Sequence, residues 1–271
     1  MAMAAAATSS SKVISGSGFP LSSSSSEIKG AVMRSLKILS YNVWFREDLE
    51  MYKRMKAIGD LIQLHSPDLI CFQEVTPNIY DILRQSSWWK VYQCSVSIEM
   101  AESRQYFCLQ GKLLFIILLS KLQVKAFSCK PFRNSIMGRE LCIAEVKVQD
   151  EKSLVVATSH LESPCPRPPT WDQMFSKERV EQAREAINLL EKNQNVIFCG
   201  DMNWDDKLDG RFPFPEGWVD AWTELRPGEN GWTYDTKSNQ MLSGLSYCKE
   251  KKVKREVRKL ELPVLIFTSN S

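Results

Sequence analysis

The sequence predicts an α/β protein of layered sheets and helices, on three observations. An apolar strand, a segment of helical periodicity and a second apolar strand follow one another within residues 36–75. The strongest helical pattern of the chain, 171–193, is likewise framed by the apolar runs 153–158 and 195–199. Between these two units lie further runs rich in β-branched and aromatic residues. At 271 residues such a fold can bury a substantial core, and 44% apolar with 25% charged residues is an ordinary globular composition.

In chain order, LKILSYNVWF (36–45) is a short strand that turns polar at Tyr41-Asn42. LEMYKRMKAIGDLIQLH (49–65) is a helix ended by Ser66-Pro67-Asp68, with His65 a capping or solvated residue. LICFQEV (69–75) is a second buried strand, closed by Gln73-Glu74. WWKVYQCSVSI (88–98), LLFIILLSKLQVKAFS (113–128) and LCIAEVKV (141–148) read as strands, joined by turns that include MGRE (137–140). SLVVATSHLES (153–163) is apolar until Thr158 and polar from there on. PCPRPPT (164–170) is a loop, because proline cannot continue a helix. WDQMFSKERVEQAREAINLLEKN (171–193) is a helix with Met174, Val180, Ile187 and Leu190 on its apolar face. The strand of NVIFCGDMNWDD (195–206) follows directly.

The flanks differ from this body. Residues 1–34 are rich in Ala and Ser with Glu27 their one acidic residue, and are expected to be a disordered leader, with the acid-poor bias of an organelle transit peptide. Residues 249–259, KEKKVKREVRK, carry a local net charge of +5, which leaves −2 for the rest of a chain whose total is +3. The body therefore does not advertise nucleic acid by charge alone. The basic run reads as a solvated tail or as a phosphate-attracting or nuclear localisation patch. The expected organisation is a leader at 1–34, a domain at 35–242 and a divergent basic tail at 243–271. Eight cysteines without close pairs suit reduced, mostly buried thiols better than a disulfide framework or a zinc site. The apolar run LLFIILL (113–119) is seven residues, far short of the ~20 needed to span a membrane.

Four apolar strands each end in a polar cluster: Asn42; Glu74; His160 with Glu162; Asp201 with Asn203. Any one of these could be a turn residue or a helix cap. Four together point to a common cleft, because rigid strand ends deliver side chains to one place. Carboxylates and amides without clustered histidine or cysteine are hard ligands, suited to Mg²⁺ or Mn²⁺ rather than zinc. Glu74 is the expected direct ligand, and His160, one of two histidines in the chain, is placed to donate to a phosphate oxygen. Asp205 and Asp206 read as the cap of a following loop or turn.

In that order and spacing, YNVWF, LICFQEV, TSHLES and CGDMN resemble the endonuclease/exonuclease/phosphatase superfamily. The resemblance implies a DNase I-like four-layered β-sandwich flanked by helices. SHLES, NSIMGREL (134–141) and WTYDTKSN (232–239) are most similar to its branch that hydrolyses the 5′-phosphotyrosyl bond of topoisomerase–DNA adducts in DNA repair. Carried over, Glu74 is the metal-binding glutamate and Asn42 its partner that hydrogen-bonds the water shell of the metal. Asp201 and Asn203 orient the attacking water and contact the scissile phosphate, His160 stabilises the pentacovalent phosphate, and Ser163 and Tyr234 touch the DNA strand. The likeness further implies Mg²⁺ (or Mn²⁺) as cofactor, a single-stranded DNA end bearing a 5′-phosphotyrosine as partner, a monomer, no membrane, and the nucleus. The Ala/Ser-rich leader keeps a plastid or mitochondrion open. Two other readings stand beside it: a non-catalytic module that holds DNA ends or a protein, and a different superfamily substrate such as a phosphoinositide or RNA 3′ end.

The chain departs from the family in two places. The family's last strands finish in Ser-Asp-His, and this chain, whose only histidines are His65 and His160, has SGLSYCKEKKVKREVRKLELPVLIFTSNS after Leu242. FCLQGKLLFIILLSKL (107–122) is longer than the strand the family expects there. Both suggest an alternatively spliced form. The expectation is a sandwich incomplete at its C-terminal strands, with an unpaired sheet edge, and an enzyme of little or no activity.

Overall fold

The computed structural model describes residues 35–97, 114–148, 152–164 and 174–229 in full, together with the backbone of short strands within 232–270. Strands β1 (Leu36–Asn42), β2 (Leu69–Val75), β3 (Gln93–Cys94), β4 (Phe115–Ser120) and β13 (Val264–Asn270) make one sheet in the order β13-β1-β2-β4-β3. Strands β5 (Val124–Pro131), β6 (Glu140–Lys147), β7 (Ser153–His160), β8 (Val196–Asp201), β9 (Trp218–Asp220) and β12 (Glu256–Arg258) make the second, in the order β5-β6-β7-β8-β12-β9. A small antiparallel pair, β10 (Trp232–Asp235) and β11 (Glu250–Lys252), stands apart from both. The helices are α1 (Met51–His65), α2 (Pro77–Gln85), α3 (Ser176–Leu190) and the short α4 (Ala221–Leu225).

The period-two alternation of the strands builds the layers. Leu36, Ile38, Leu69, Cys71 and Leu118 of the first sheet face Ala144, Val146, Leu154, Val156, Ile197 and Cys199 of the second, and this is the core between the sheets. The alternate residues Leu39, Ile70, Phe72, Ile117 and Leu119 point outward onto α1, α2 and the aromatic segment Trp88–Tyr92. On the other side, Leu141, Val155, Ala157, Val196 and Phe198 pack against Ala183, Ala186, Ile187 and Leu190 of α3. The result is helix, sheet, sheet, helix, the four-layered architecture that the resemblance implies. β4 lies between β2 and β3 with apolar layers on both faces, so all six of its residues are buried and the first five, Phe115 to Leu119, read as an unbroken apolar run.

One feature of the topology positions the site. β1 and β2 are parallel and joined by α1; β7 and β8 are parallel and joined by α3. Each sheet thus contains one βαβ unit, since parallel neighbours need a crossover. In register, Asn42 lies opposite Gln73 and His160 opposite Asp201, so the polar ends of all four strands reach the same rim. The helix boundaries follow from local chemistry. Pro67 follows the left-handed Ser66 that ends α1, and Thr76 caps α2 by accepting from the Ile79 amide ahead of Pro77.

Several expectations are corrected. The segment 88–98 is a strand only at Gln93–Cys94: Ser87–Val91 is a 3-10 turn, because Trp88 and Trp89 are adjacent yet both buried, which an alternating strand facing one core cannot achieve. The buried face of α3 runs through Arg179, Gln182, Ala183, Ala186, Ile187 and Leu190, whereas Val180 is half-buried and Met174 precedes the helix. The edge of the first sheet expected to be unpaired is occupied: β13 pairs in parallel along the whole of β1, from Leu36–Val264 to Asn42–Asn270. Likewise β12 lies between β8 and β9, so strands from the segment 243–271 complete both sheets. Of the 107–122 block, Phe115–Ser120 is core; residues 107–113 lie outside the described residues, as do the 1–34 leader, 165–170 and the side chains of 249–259.

Gly200 shows how tightly β7 and β8 are held at the rim. Its φ is +141°, and a Cβ there would lie 2.0 Å from the Ser159 carbonyl oxygen. Gly200→Ala should therefore cost roughly 3 kcal/mol or more, or prevent soluble expression. Gly210→Ala, at φ +74° with nothing within 4 Å, should cost only about 1 kcal/mol. Urea unfolding of the two variants measures the contrast.

Candidate active site

At the rim, the two sheets are joined by side chains. Asn42 at the end of β1 donates from Nδ2 to Asp201 Oδ2 at 2.8 Å, and its Oδ1 accepts from the Trp44 amide at 2.9 Å. Deeper in, Gln73 Nε2 donates to Thr158 Oγ1 at 3.0 Å, a second bond from sheet to sheet. Asp201 Oδ1 accepts from the Asn203 amide at 3.0 Å. The Asn203 side chain donates back to the Leu161 carbonyl at 3.0 Å and reaches Ser163 Oγ at 3.4 Å. Glu74 Oε2 accepts from the Phe45 amide at 3.1 Å. Trp44, Glu74 and Asn203 all have positive φ (58°, 60° and 49°). Left-handed backbone at non-glycine residues costs on the order of 1–3 kcal/mol each, and three such residues at one rim mark where the fold holds strain.

His160 is at the centre, 3% exposed. Its Nε2 lies 3.7 Å from both Glu74 Oε1 and Asp201 Oδ2. Its Nδ1 lies 2.7 Å from Arg139 Nη1. A guanidinium has donors only, so Nδ1 accepts and the ring proton sits on Nε2, aimed at the carboxylates and the cleft. Arg139 Nη2 also donates to Ser163 Oγ at 2.8 Å, and Ser163 Oγ lies 3.5 Å from His160 Nε2. Glu74, His160 and Asp201 each offer a ligand atom within 4.8 Å of the others. Burial pushes the Glu74 carboxyl above the usual carboxylate range; the Asp201 charge adds to this, while hydrogen bonds from Asn42 and Phe45 and the charge of Arg139 oppose it.

A buried polar frame stands behind these groups. Glu162, fully buried, accepts from Ser135 Oγ (3.0 Å), the Met137 amide (2.7 Å) and Gln182 Nε2 (2.7 Å). It thereby ties α3 to the loop that ends in Arg139, whose own amide donates to Ser135 Oγ at 2.6 Å. Arg179, also fully buried, makes a two-pronged pair with Asp209 and donates to the Glu162 and Met174 carbonyls. Asp209 also accepts from the Asp205 amide, and Asp205 Oδ1 accepts from Lys207 N, so the segment after Asn203 is a pinned turn, the capping role expected of Asp205.

Of the residues singled out from sequence, Asn42, Glu74, His160, Ser163, Asp201 and Asn203 are brought together. Tyr234 has its backbone in β10, and its side chain lies outside the described residues. His65 is in the last turn of α1 and its carbonyl accepts from Lys37 Nζ at the start of β1, the opposite end of the sheet. Arg139 was not anticipated: it sits in MGRE, which reads as a turn, and its partners are 21 and 24 residues away.

The chain matches the Endonuclease/Exonuclease/phosphatase family over residues 39–241. Among curated proteins, tyrosyl-DNA phosphodiesterase 2 of Xenopus tropicalis is 28% identical over 237 residues, covering 84% of this chain and 57% of that protein. The Bos taurus protein of the same name is 29% identical over 236 residues, covering 83% and 59%. The chain thus spans under two thirds of the length of these relatives. Among solved structures, Danio rerio TDP2 complexed with single-strand DNA product superposes with a TM-score of 0.64 at 24% identity over 82% of each chain. TDP2 from C. elegans gives 0.62 at 23% identity, covering 81% of this chain and 63% of that one. The human Nocturnin catalytic domain with bound sulfate gives 0.57 at 14%, covering 80% and 79%. At these identities the likeness is one of fold.

Two outcomes follow from the electrostatics. With its carboxyl raised by burial, ionised Glu74 destabilises the native state at pH well above that raised value, and the cost disappears as pH falls through it. In metal-free buffer Glu74→Gln should melt above the parent at pH 8, with the gap closing toward the ordinary value of 4.5. Glu162→Ala leaves two buried donors, the Met137 amide and Gln182 Nε2, and the half-buried Ser135 hydroxyl without their acceptor, so it should cost about 3 kcal/mol and raise amide exchange across 135–139. Thermal melts over a pH series and exchange mass spectrometry read the two.

Proposed function

The chain belongs to the Endonuclease/Exonuclease/phosphatase family, and from that membership we propose that it is a Mg²⁺-dependent phosphodiesterase acting on the 5′-phosphotyrosyl bond of DNA. The observation that carries the reading is the convergence of Glu74, His160 and Asp201 on one point, with Asn42 bonded to Asp201 across the sheets. The 28–29% identity to tyrosyl-DNA phosphodiesterase 2 supports the substrate, and the single-strand DNA product held by the Danio rerio protein supports an unpaired end.

The donor set fits a hard divalent cation. Two carboxylates, Glu74 and Asp201, are offered at the rim, and His160 presents an N–H rather than a lone pair, which suits Mg²⁺ or Mn²⁺ with Glu74 as direct ligand and Asn42 beside it. The raised Glu74 carboxyl points the same way, since a bound cation would relieve its burial. When bound, such an ion polarises a phosphoryl oxygen and offsets charge developing in an in-line displacement.

The chain's own groups do the remaining work. Asp201, fixed on Oδ2 by Asn42 and on Oδ1 by the Asn203 amide, holds the attacking water and accepts its proton. His160 Nε2–H donates to a non-bridging phosphate oxygen as negative charge grows there, and Arg139 keeps that proton on Nε2 by donating to Nδ1. In this reading Ser163 and Asn203 contact the DNA strand, and Tyr234 stacks a base. The leaving group is a phenolate of low basicity, so little proton donation to it is required. The proposed place of action is the nucleus, and imaging of a tagged chain tests it.

One observation favours a weaker enzyme or a non-catalytic DNA-end binder. The site receives a single imidazole, because His65 lies at the far end of β1 and the chain has no third histidine. Turnover of a 5′-phosphotyrosyl oligonucleotide is therefore expected to be slow yet Mg²⁺-dependent, and Asp201→Asn should lower it a further ~10²-fold or more. Tyrosine release is measured by chromatography with Mg²⁺ and with chelator. Binding without any release supports the binding module, and equal release in chelator refutes the metal-dependent reading.

A further inference from the structure

Two strands away from the site, the inner face of the second sheet carries a thiol pair that the phosphodiesterase reading leaves without a use. Cys129 and Cys142 are direct cross-strand partners of β5 and β6, and their Sγ atoms are 3.1 Å apart. Cys142 is 1% exposed, and its thiol donates to Glu140 Oε1 at 3.6 Å on the same face. Cys129 is only half-buried, on β5 at the edge of the sheet.

We propose that Cys129 and Cys142 form a peroxide-oxidised dithiol, with Cys129 the reacting thiol and Cys142 the resolving one. In the first step the Cys129 sulfur attacks hydrogen peroxide; the O–O bond breaks, the sulfur is oxidised by two electrons to a sulfenic acid, and water leaves. In the second, Cys142 sulfur attacks the Cys129 sulfenic sulfur, the S–O bond breaks, and the Cys142 proton passes by way of Glu140 to the departing hydroxide as a second water. The sum is two thiols and one peroxide giving one disulfide and two waters.

Three observations select this pair. Residues directly opposite on an antiparallel ladder already have the Cα separation a disulfide needs, and an edge strand is able to shift the last ångström to an S–S bond of about 2.05 Å. The other described thiols are poorly suited: Cys199 has no exposure, the hydrogen bond with Cys199 and burial push the Cys71 thiol well up, and burial raises Cys94 to about 11. A metal held by the same atoms fits less well, although Cys129, Glu140 and Cys142 each offer a ligand atom within 4.8 Å of the others. A structural zinc takes four protein ligands, and among the described residues this cluster offers three.

The bond has a structural consequence. It closes a loop over residues 130–141, which includes Ser135, Met137 and Arg139, the segment that reaches Glu162 and His160. Oxidation would staple the base of the loop that carries Arg139, and cross-linking a loop removes entropy from the unfolded chain.

The test treats the full reduced chain with a slight excess of hydrogen peroxide, alkylates remaining thiols and maps disulfides by mass spectrometry. The expected result is one Cys129–Cys142 cross-linked peptide, reversed by dithiothreitol, with Tm raised by something on the order of 5 °C. In Cys142→Ser, Cys129 should accumulate a sulfenic acid captured by dimedone; in Cys129→Ser, Cys142 should stay unmodified. Absence of the 129–142 peptide, pairing of Cys129 with Cys108, Cys165 or Cys248, an inert Cys129 in Cys142→Ser, or one equivalent of zinc retained through purification and lost in Cys129→Ser would each overturn the proposal.

Discussion

Asn42 and Asp201 are 159 residues apart and share a 2.8 Å hydrogen bond. That bond forms only if two sheets stack with the C-terminal ends of their parallel strands level, and the layout of the site depends on this stacking. One βαβ unit sets β1 beside β2, and a second sets β7 beside β8. The apolar layer between the sheets fixes their separation, and the Gln73–Thr158 bond fixes their relative slide. With both settled, a carboxylate from each sheet and an imidazole between them meet without any loop having to bring them there. Side chains delivered from strand ends hold position better than loop side chains.

The fold spends stability at this rim and recovers it behind. Glu74 carries a left-handed backbone and a desolvated carboxylate, and Trp44 and Asn203 share the backbone strain. Against this stand Glu162 with its donors from two elements, the Arg179–Asp209 pair with no exposure, and the close approach of β7 to β8 that only a glycine at 200 allows. Arg139 connects the frame to the chemistry. Its loop is anchored by Glu162, and its guanidinium decides which nitrogen of His160 holds the proton. A substitution far from the rim, on α3 at Gln182 for example, is thus coupled to the imidazole through a continuous chain of bonds.

Much of the site was legible because each of its strands ends abruptly. Asn42, Glu74, His160 and Asp201 stand where an apolar run stops, and a single sequence shows such a boundary directly. Arg139 and Glu162 were not legible as a pair acting on His160 through Ser135 and Met137, since nothing local distinguishes an arginine in a turn from one aimed at a ring on the next strand but one. Arg179 and Gln182 were missed for the same reason. On a helix read by hydrophobic periodicity they look like solvent-facing residues, and only their partners Asp209 and Glu162 explain their burial. The tryptophans at 88 and 89 misled in the opposite sense: their β-prone chemistry reads as strand, while a 3-10 turn lets both rings enter one core.

By itself the sequence determined the alternation of strands and helices, the four polar strand ends and the hard-ligand character of their side chains, because these depend on residues close together in the chain. The tertiary structure decided what depends on distant residues meeting: the pairing of β13 with β1 and of β12 with β8, the tautomer of His160, the buried frame behind Arg139, and the 3.1 Å approach of Cys129 to Cys142. Periodicity reports how a segment faces a core, and it carries no information about which segment comes to lie on the other side.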